Sequence, residues 1–412
     1  MRNVRPWIAA IVALGIISGG CLLAQDWPQW RGPNRDGTVS GFTAPAAWPA
    51  KFMQKWQVKA GKGDASPVLV GENVYTFGRQ GTDEVVLCLV AATGKTVWEA
   101  KYPAGRVVTG PPAGHPGPRG TPVVAEGKIC TLGVGSVLSC FDAAKGTLLW
   151  RKQTAADYGV ASINTDCTMS PTIVDGLCII HVGDGSAGAV IALALADGKP
   201  KWTWKSMGVT NSSPVVMTAG GKKQLVILTG KDKQSGTLAG LDLADGKLLW
   251  QTSSSQGDCT TPIVDGATVI CSGQGSKGMF AVKIAPQDAG FAATPLWANS
   301  QAGARFTTPV LKDGLLYGFN GSFFCADAKT GATLWTDSAK RGQSASLLAA
   351  GSVVLALTVK GELIAFTPSN AKYTQLALIK VASAETWAHP VVAGDRIFVK
   401  DTETVSLWTL AP

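Results

Sequence analysis

The chain has 412 residues, of which 46% are hydrophobic and 16% charged, which is ample for a large globular core. The formal net charge is +9, but the basic residues are mostly lysines scattered through turns, without a basic cluster or an aromatic-interleaved basic stripe. This distribution is typical of a solvated surface and excludes nucleic acid as the expected partner.

The N-terminal segment differs in composition from the rest of the chain. Two arginines precede an almost wholly apolar run from Trp7 to Ile17, and small residues follow up to Ala24. This pattern predicts a secretory signal peptide over residues 1–24, because the apolar run is short for a membrane span. The predicted location is therefore periplasmic or extracellular.

Lipidation at Cys21 is the alternative to cleavage near Ala24. Cys21 follows two glycines, but Ser18 stands where a lipobox usually places Leu. We expect contact with a membrane only if Cys21 is lipidated. Residues 25–54, with the run from Asp26 to Gly37, are predicted to form a strap anchored by tryptophans.

From residue 55 onward one phrase returns eight times. A Ser/Thr-Pro opens an apolar run, a glycine turn and two further runs follow, and an Ala-x-Gly-Lys-like turn precedes a tryptophan. The openings, at intervals of about 38 to 55 residues, are Pro67, Pro122, Pro171, Pro214, Pro262, Pro309, Leu347 and Pro390. Such intervals predict an all-β, eight-bladed propeller of four-stranded blades over residues 55–412, with no second domain.

Tryptophans close most of the repeats and are predicted to pack between blades rather than to bind ligand. They are Trp98, Trp150, Trp202, Trp250, Trp297 and Trp335, while the seventh repeat has Leu376 and Leu378 instead. Trp56 is left over, at the spacing of a closing tryptophan. Because the last repeat has room for only three strands, residues 55–60 are predicted to supply its outermost strand and close the ring.

Two connections, those entering the second and third blades, are longer than ordinary loops. The first, from Tyr102 to Gly120, is rich in proline and therefore stiff, and His115 within it is predicted to be exposed. Both should lie at one mouth of the central channel, and loops on a rigid scaffold commonly carry function.

The residues just before each innermost strand should surround this mouth. Reading three and four positions before each opening gives a polar ring without glutamate, whose candidate binding residues are Asp64, Arg119, Asn211, Asp258, Arg305 and Trp387. One interpretation is that these groups cap turns and pair with one another. The other is a pocket for an anion or a peptide side chain, with Arg119 and Arg305 holding a carboxylate and Trp387 as an apolar floor.

Cysteine and histidine give weaker signals. Cys130 and Cys140 lie symmetrically about residue 135, so a hairpin centred there would place them opposite each other, as a disulfide or as two buried free thiols. The three histidines are far apart and none has a partner at metal-ligand spacing, so no metal site is predicted. No catalytic motif occurs in its required context.

The closing units resemble the L-D-x-x-T-G-x-x-x-W repeat of the pyrroloquinoline-quinone (PQQ)-type propeller superfamily. Examples are the runs 140–150, 241–250 and 325–335. That superfamily contains quinoprotein alcohol dehydrogenases and non-enzymatic BamB-type propellers, and the resemblance covers residues 55–412. It implies the fold and not an activity.

The resemblance leaves several functions open. Quinone-dependent members have two adjacent cysteines and a calcium set with glutamate, whereas here no two cysteines are adjacent. We therefore expect a monomeric, non-catalytic scaffold without cofactor, which binds a protein or a small anionic ligand. The alternative is a dehydrogenase with PQQ and calcium, using Asp64 or Asp258 as base, and the third is a carbohydrate-binding propeller.

Overall fold

The computed structural model describes residues 26–105, 114–158, 168–184, 187–230, 236–254, 260–273, 277–288 and 290–410. The described strands form eight sheets of four antiparallel strands, one of which gains a short fifth strand. Consecutive sheets follow the order of the repeats, so the prediction of an eight-bladed propeller is confirmed. In the described ranges no helix is long and apolar enough to span a membrane.

The strands are numbered in chain order. Two strands precede the first blade, β1 (Thr38–Val39) and β2 (Met53–Lys59). Four consecutive strands make each of blades 1 to 7, whereas blade 8 has three consecutive strands and β2. Blades 1 and 2 consist of β3 (Val68–Val70), β4 (Asn73–Gln80), β5 (Asp83–Val90), β6 (Thr96–Pro103), β7 (Val123–Ala125), β8 (Lys128–Gly133), β9 (Val137–Asp142) and β10 (Leu148–Gln153). A short helix, α1 (Ala155–Tyr158), follows.

Blades 3 and 4 consist of β11 (Thr172–Val174), β12 (Leu177–Gly183), β13 (Ala187–Ala194), β14 (Pro200–Met207), β15 (Val215–Ala219), β16 (Lys222–Thr229), β17 (Gly236–Asp242) and β18 (Leu248–Ser254). Blades 5 and 6 consist of β19 (Ile263–Asp265), β20 (Thr268–Cys271), β21 (Met279–Gln287), β22 (Gly290–Asn299), β23 (Val310–Lys312), β24 (Leu315–Phe319), β25 (Phe323–Asp327) and β26 (Thr333–Thr336). Blades 7 and 8 consist of β27 (Ala345–Ala350), β28 (Val353–Thr358), β29 (Glu362–Phe366), β30 (Gln375–Lys380), β31 (Val391–Ala393), β32 (Arg396–Lys400) and β33 (Thr404–Thr409).

The N-terminal strand β2 completes blade 8. It pairs antiparallel with β33, from Met53 opposite Thr409 to Lys59 opposite Thr404. The predicted closure is therefore confirmed, with the strand beginning two residues earlier than expected. Because the pairing covers the outer edge of β33, the N-terminal and C-terminal segments share one sheet.

The hydroxyl groups of the Ser/Thr-Pro openings join neighbouring blades around the channel. The backbone N–H of Ser66 donates to Oγ1 of Thr121 at 3.2 Å, and that of Thr121 donates to Oγ of Ser170 at 2.9 Å. Ser170 continues the series by donating to Ser213 at 2.9 Å. These buried bonds explain why a small hydroxyl residue recurs at the opening of blades 1 to 7, whereas His389 holds this position in blade 8 and donates its backbone N–H to Oγ of Ser66 at 2.7 Å.

Most of the closing tryptophans pack on a glycine turn of the following blade. The indole N–H of Trp98 donates to the carbonyl of Ala143 at 3.0 Å, and a Cβ on Gly146 would lie 2.5 Å from the Trp98 ring. Gly146 has a φ of +71°, so the turn also requires glycine for its backbone. The same arrangement joins Trp56 to Gly94, Trp150 to Gly198, Trp202 to Gly246 and Trp297 to Gly331.

Three closures depart from this arrangement. The indole of Trp250 donates to Oε1 of Gln224 in its own blade at 2.6 Å, because blade 5 has a long hairpin between β21 and β22 in place of the glycine turn. Trp335 donates to the carbonyl of Ser369 at 2.8 Å. In blade 7 the register places Ala377 at the tryptophan position.

The prediction that Leu376 and Leu378 replace the seventh tryptophan is therefore wrong. Both side chains are over 40% exposed on the outer strand. The following blade takes its fourth strand from the N-terminus, so it has no chain turn on which a tryptophan could pack. The small residue at position 377 is consistent with this, because no glycine turn is present there for a large ring to cover.

Within the predicted strap of residues 25–54, residues 26–39 cross the central channel and contact all eight blades, and the name strap is used for them alone from here on. Trp27 pairs with Leu69 of blade 1, Pro28 accepts a bond from blade 2, and β1 runs parallel to β27 of blade 7. Trp30 contacts blades 5 and 8 through Thr261 and His389. Two arginines of the strap contact the remaining blades, which are blades 3, 4 and 6.

Arg31 and Arg35 fill the channel with their guanidinium groups. Arg31 is 1% exposed and donates to the carbonyls of Thr308 and Pro309 on blade 6, both at 2.9 Å. Arg35 donates to Pro171 on blade 3 and, at 3.0 Å, to Pro214 on blade 4. Burial lowers the pKa of Arg31 to about 10 and that of Arg35 to about 9, so both remain cationic at neutral pH.

Candidate functional site

The two faces of the ring differ in what they carry. On one, the mouth face, the innermost strands begin and the outer-to-inner connections lie. On the other, the turn face, lie the glycine turns that receive the tryptophans. The strap crosses the channel between them, and the described residues of the predicted polar ring lie on the mouth face.

Asp64 holds the end of the first long connection against blade 1. Its carboxylate oxygens both lie 3.1 Å from Nδ1 of His115, and Oδ2 lies 3.7 Å from Nε of Arg119. The backbone N–H of Asp64 donates to the carbonyl of Pro118 at 3.0 Å. Arg119 also donates from Nη2 to the carbonyl of His115 at 3.2 Å. These bonds fix residues 115–119 over the mouth.

The environment of His115 favours its charged form. The hydrogen bond to Asp64 raises the pKa of His115 above its ordinary value, against burial, which lowers it. On its other side Nε2 lies 3.9 Å from Oε2 of Glu385. His115 is therefore a bridge between carboxylates from blade 1 and from the connection entering blade 8.

An aromatic group continues from this bridge. The ring of His115 lies edge-on to Trp387, with centroids 5.9 Å apart, and Phe306 lies edge-on to the same indole at 5.8 Å. The Trp387 N–H donates to Glu385 at 2.9 Å. The guanidinium of Arg305 lies 4.7 Å from the centre of the Phe306 ring. We call this set the mouth cluster: Asp64, His115, Arg119, Arg305, Phe306, Glu385 and Trp387.

The structure brings only part of the predicted ring together. Asp64, Arg119, Arg305 and Trp387 belong to the mouth cluster. Asn211 instead accepts a hydrogen bond from Thr168 at 2.8 Å, between blades 3 and 4. Asp258 lies outside the described residues.

Two expectations about the mouth were wrong. His115 is partly buried, with 29% of its side chain exposed, and Glu385 does belong to the mouth. Glu385 was missed because it lies five residues before Pro390, one position beyond the spacing that predicts the ring. The clue available in the sequence was its spacing of two residues from Trp387, which places both side chains on one loop.

The two arginines of the ring have different surroundings. Arg119 contacts Asp64 and the carbonyl of His115, so its guanidinium holds the connection in place. Arg305 is exposed, and its described contact is with the face of Phe306. Of these two arginines, Arg305 is therefore the one whose side chain is accessible at the mouth, beside the rings of Phe306 and Trp387.

The described residues at the mouth and in the channel, which do not include Asp258, do not fit a quinone with calcium. Calcium takes six to eight oxygen ligands, whereas the Asp64 carboxylate faces His115 and Arg119. The channel below is filled by Arg31 and Arg35. In the described part of the chain no three acidic, histidine or cysteine side chains meet as a metal site.

Cys130 and Cys140 lie away from the mouth, inside blade 2. They are directly opposite each other on β8 and β9, at the register that the symmetric spacing predicts. Both are fully buried free thiols. Burial raises the pKa of Cys130, which keeps the thiol protonated.

Comparison with known proteins identifies relatives of this chain by sequence and by structure. A family model described as outer membrane protein assembly factor BamB matches residues 82–337 and 320–411. A curated BamB from Burkholderia pseudomallei is 25% identical over 375 residues, covering 84% of this chain and 85% of the relative.

Solved structures share the fold at lower identity. BamB from Moraxella catarrhalis superposes with a TM-score of 0.61 at 13% identity, covering 87% of this chain and 98% of that one. Quinohemoprotein alcohol dehydrogenase from Comamonas testosteroni gives a TM-score of 0.65 at 14% identity, covering 93% and 80%. At such identities the likeness shows the fold alone.

Proposed function

This chain belongs to the family of the outer membrane protein assembly factor BamB, and from that premise we propose that it is an exported, non-catalytic propeller that binds a partner protein through its mouth face. The relative from Burkholderia pseudomallei is named as an assembly factor, which supports a protein as the partner. The mouth cluster is the proposed binding surface.

One observation carries this proposal. An exposed arginine, Arg305, lies on Phe306 beside the half-buried Trp387, on a face whose central channel is filled. Arginine and tryptophan are enriched among the residues that dominate the binding energy of protein interfaces. A rigid scaffold around them reduces the entropy lost on binding.

The proposal assigns no cofactor and no catalytic base. Asp64, the described candidate base of a dehydrogenase, is engaged by His115 and Arg119. Trp387 is also a surface on which a carbohydrate ring can stack. Photocrosslinking to a protein, compared with retention of oligosaccharide, separates carbohydrate binding from protein binding. We further propose that the mature protein is a monomer, with export directed by residues 1–24.

Photocrosslinking tests the proposed surface. A photoreactive amino acid at position 305 or 387 is expected to give one discrete crosslinked protein in envelope extracts. The same amino acid at Lys247, on the turn face, serves as the control and should give none. Trp387→Ala should reduce capture by the position 305 crosslinker about 10-fold or more, as loss of a hot-spot residue does, while leaving the melting temperature unchanged.

Two results would refute the mouth face as the protein-binding surface. One is equal crosslinking from position 247. The other is retention of oligosaccharide, rather than protein, in a manner that depends on Trp387. Mass measurement of the mature protein separately tests cleavage near Ala24 against lipidation at Cys21.

A further inference from the structure

A second depression on the mouth face lies outside the mouth cluster. It is a cleft of about 530 Å³ where blade 8 meets blade 1, between β2 and the turn joining β4 to β5. Its charged walls are Lys59, Lys62, Arg79 and Glu403, and Pro116 of the first long connection forms one side. The volume lies within the range of about 300–1,000 Å³ typical of ligand sites.

The backbone around this cleft is held by hydrogen bonds between the two blades. Lys62 and Arg79 exchange backbone bonds of 2.9 and 2.7 Å. The Arg79 guanidinium donates to the carbonyls of Gly81 at 3.1 Å and Pro116 at 3.2 Å. The backbone N–H of Gly61 donates to the carbonyl of Glu403 at 3.0 Å. The cleft is therefore a formed feature of the fold.

Positive charge exceeds negative charge in this cleft. Nζ of Lys59 lies 3.8 Å and Nζ of Lys62 lies 3.6 Å from the Glu403 carboxylate. Both distances exceed those of a direct hydrogen bond, and the two lysine side chains are 74% and 52% exposed. Arg79, which is 8% exposed and held by backbone carbonyls, also lines the cleft, so its three cations and one carboxylate give a formal charge of +2.

We propose that this cleft binds an acidic, carboxylate-bearing peptide segment of a partner protein. The spread of three cations along the walls, and a volume far above that of a single small anion, favour several side chains over one phosphate. Pro116 connects the cleft to the mouth cluster through the adjacent His115, so one partner can contact both. This peptide site goes beyond the proposed function. It can be tested with a synthetic peptide, without the partner protein.

Fluorescence anisotropy of the full chain with a labelled hexaglutamate peptide measures this site directly. Lys59→Glu with Lys62→Glu is expected to weaken binding about 10-fold or more, because two attractive charges become repulsive. Glu403→Gln is expected to strengthen binding about threefold, because it removes the competing carboxylate. Opposite effects of two changes in one cleft separate charge recognition from damage to the fold.

The control is a matched pair of reversals on the turn face, Lys145→Glu with Lys247→Glu, which change the net charge equally. They should leave hexaglutamate affinity within about twofold, because charges beyond a Debye length of about 10 Å are screened at 0.1 M salt. Equal weakening by this pair, equal binding of hexaglutamine, or weaker binding by Glu403→Gln would each overturn the proposal. Inorganic phosphate that binds as tightly as the peptide would also overturn it, in favour of a free-anion site.

Trp387→Ala keeps this test independent of the proposed function. The mouth cluster does not line the cleft, so the variant should bind hexaglutamate normally even if it no longer captures a protein partner. A crosslinking result at the mouth and a peptide result at the cleft can therefore succeed or fail separately.

Discussion

At the scale of single residues, two histidines of this propeller have opposite electrostatic surroundings. His115 lies at the mouth between Asp64 and Glu385, and its pKa is raised. His389 is buried in the channel against Trp30, near Arg31, and burial lowers its pKa to about 3. His115 therefore keeps its proton to a higher pH than an ordinary histidine, whereas the channel histidine is neutral at neutral pH.

The first prediction concerns the pH dependence of the Asp64–His115 contact. Since the folded-state pKa of His115 is raised, the stabilisation from this contact is fully present below the unfolded value of about 6.5 and is lost as pH rises through the folded pKa. Asp64→Asn should lower the pKa of His115 and remove that part of the pH dependence. Proton NMR of the histidine rings measures this, in a chain with three histidines.

The matched control for this experiment is Asp175→Asn. Asp175 pairs with Lys223 on the opposite face, so its neutralisation should leave the titration of His115 unchanged. A pKa of His115 that is the same with and without Asp64 would show that this hydrogen bond does not set the charge at the mouth.

At the scale of elements, a tryptophan and a glycine turn form the contact between neighbouring blades. The indole of Trp150 donates to the carbonyl of Leu195 at 3.0 Å. A Cβ on Gly198 would lie 2.8 Å from the Trp150 ring. The contact therefore needs a large ring on one blade and no side chain on the next, which is why the two residue types recur together.

The second prediction measures this contact between blades 2 and 3. Trp150→Ala should cost about 3–5 kcal/mol by leaving a cavity between blades. Gly198→Ala should destabilise through its φ of +71° and through overlap with Trp150. Gly176 has a φ of +72°, and a Cβ added there would meet no atom within 4 Å, so it is the matched control that has only the backbone cost.

Urea unfolding of the single and double variants separates the two costs. In the natural background Gly198→Ala should cost more than Gly176→Ala, and in the Trp150→Ala background the two should cost the same. An undiminished difference between them after removal of Trp150 would mean that the glycine is required for some reason other than the indole.

The elements themselves could be predicted from the sequence because each blade repeats the same local pattern. Glycine turns, apolar runs and the unmatched Trp56 were sufficient to predict the blades and the closing strand. The seventh closure failed because its closing position holds Ala377, so no large residue marks that position in the sequence. The leucines on either side of it, Leu376 and Leu378, are exposed.

The site was less predictable than the blades. Arg31 and Arg35 donate to backbone carbonyls that are 135 to 278 positions away in the sequence. Every residue type has a backbone carbonyl, so the acceptors of these arginines cannot be recognised in the sequence. The sequence therefore does not predict that the strap fills the channel. The aromatic side of the mouth cluster likewise depends on which loops meet at the axis, and spacing within one repeat does not determine that.

At the scale of the whole molecule, residues 26–59 perform two separable structural tasks. The strap joins the innermost strands of all eight blades across the axis. The strand β2 covers the outer edge of β33, and its Trp56 and Val58 pack with Val85, Leu87 and Val405. One task closes the ring at its centre and the other at its circumference.

The last prediction separates these tasks with two truncated chains, one beginning at Phe52 and the other at Gly61. The first keeps β2, so the ring should stay closed and unfold cooperatively, with a lower midpoint because the channel loses its two arginines and Trp27. The second also exposes the edge of β33 and should aggregate or lose its cooperative transition. Calorimetry and light scattering measure both outcomes. If the Gly61 chain melted like the Phe52 chain, pairing at the circumference would contribute little to stability, and contacts between neighbouring blades alone would hold the ring together.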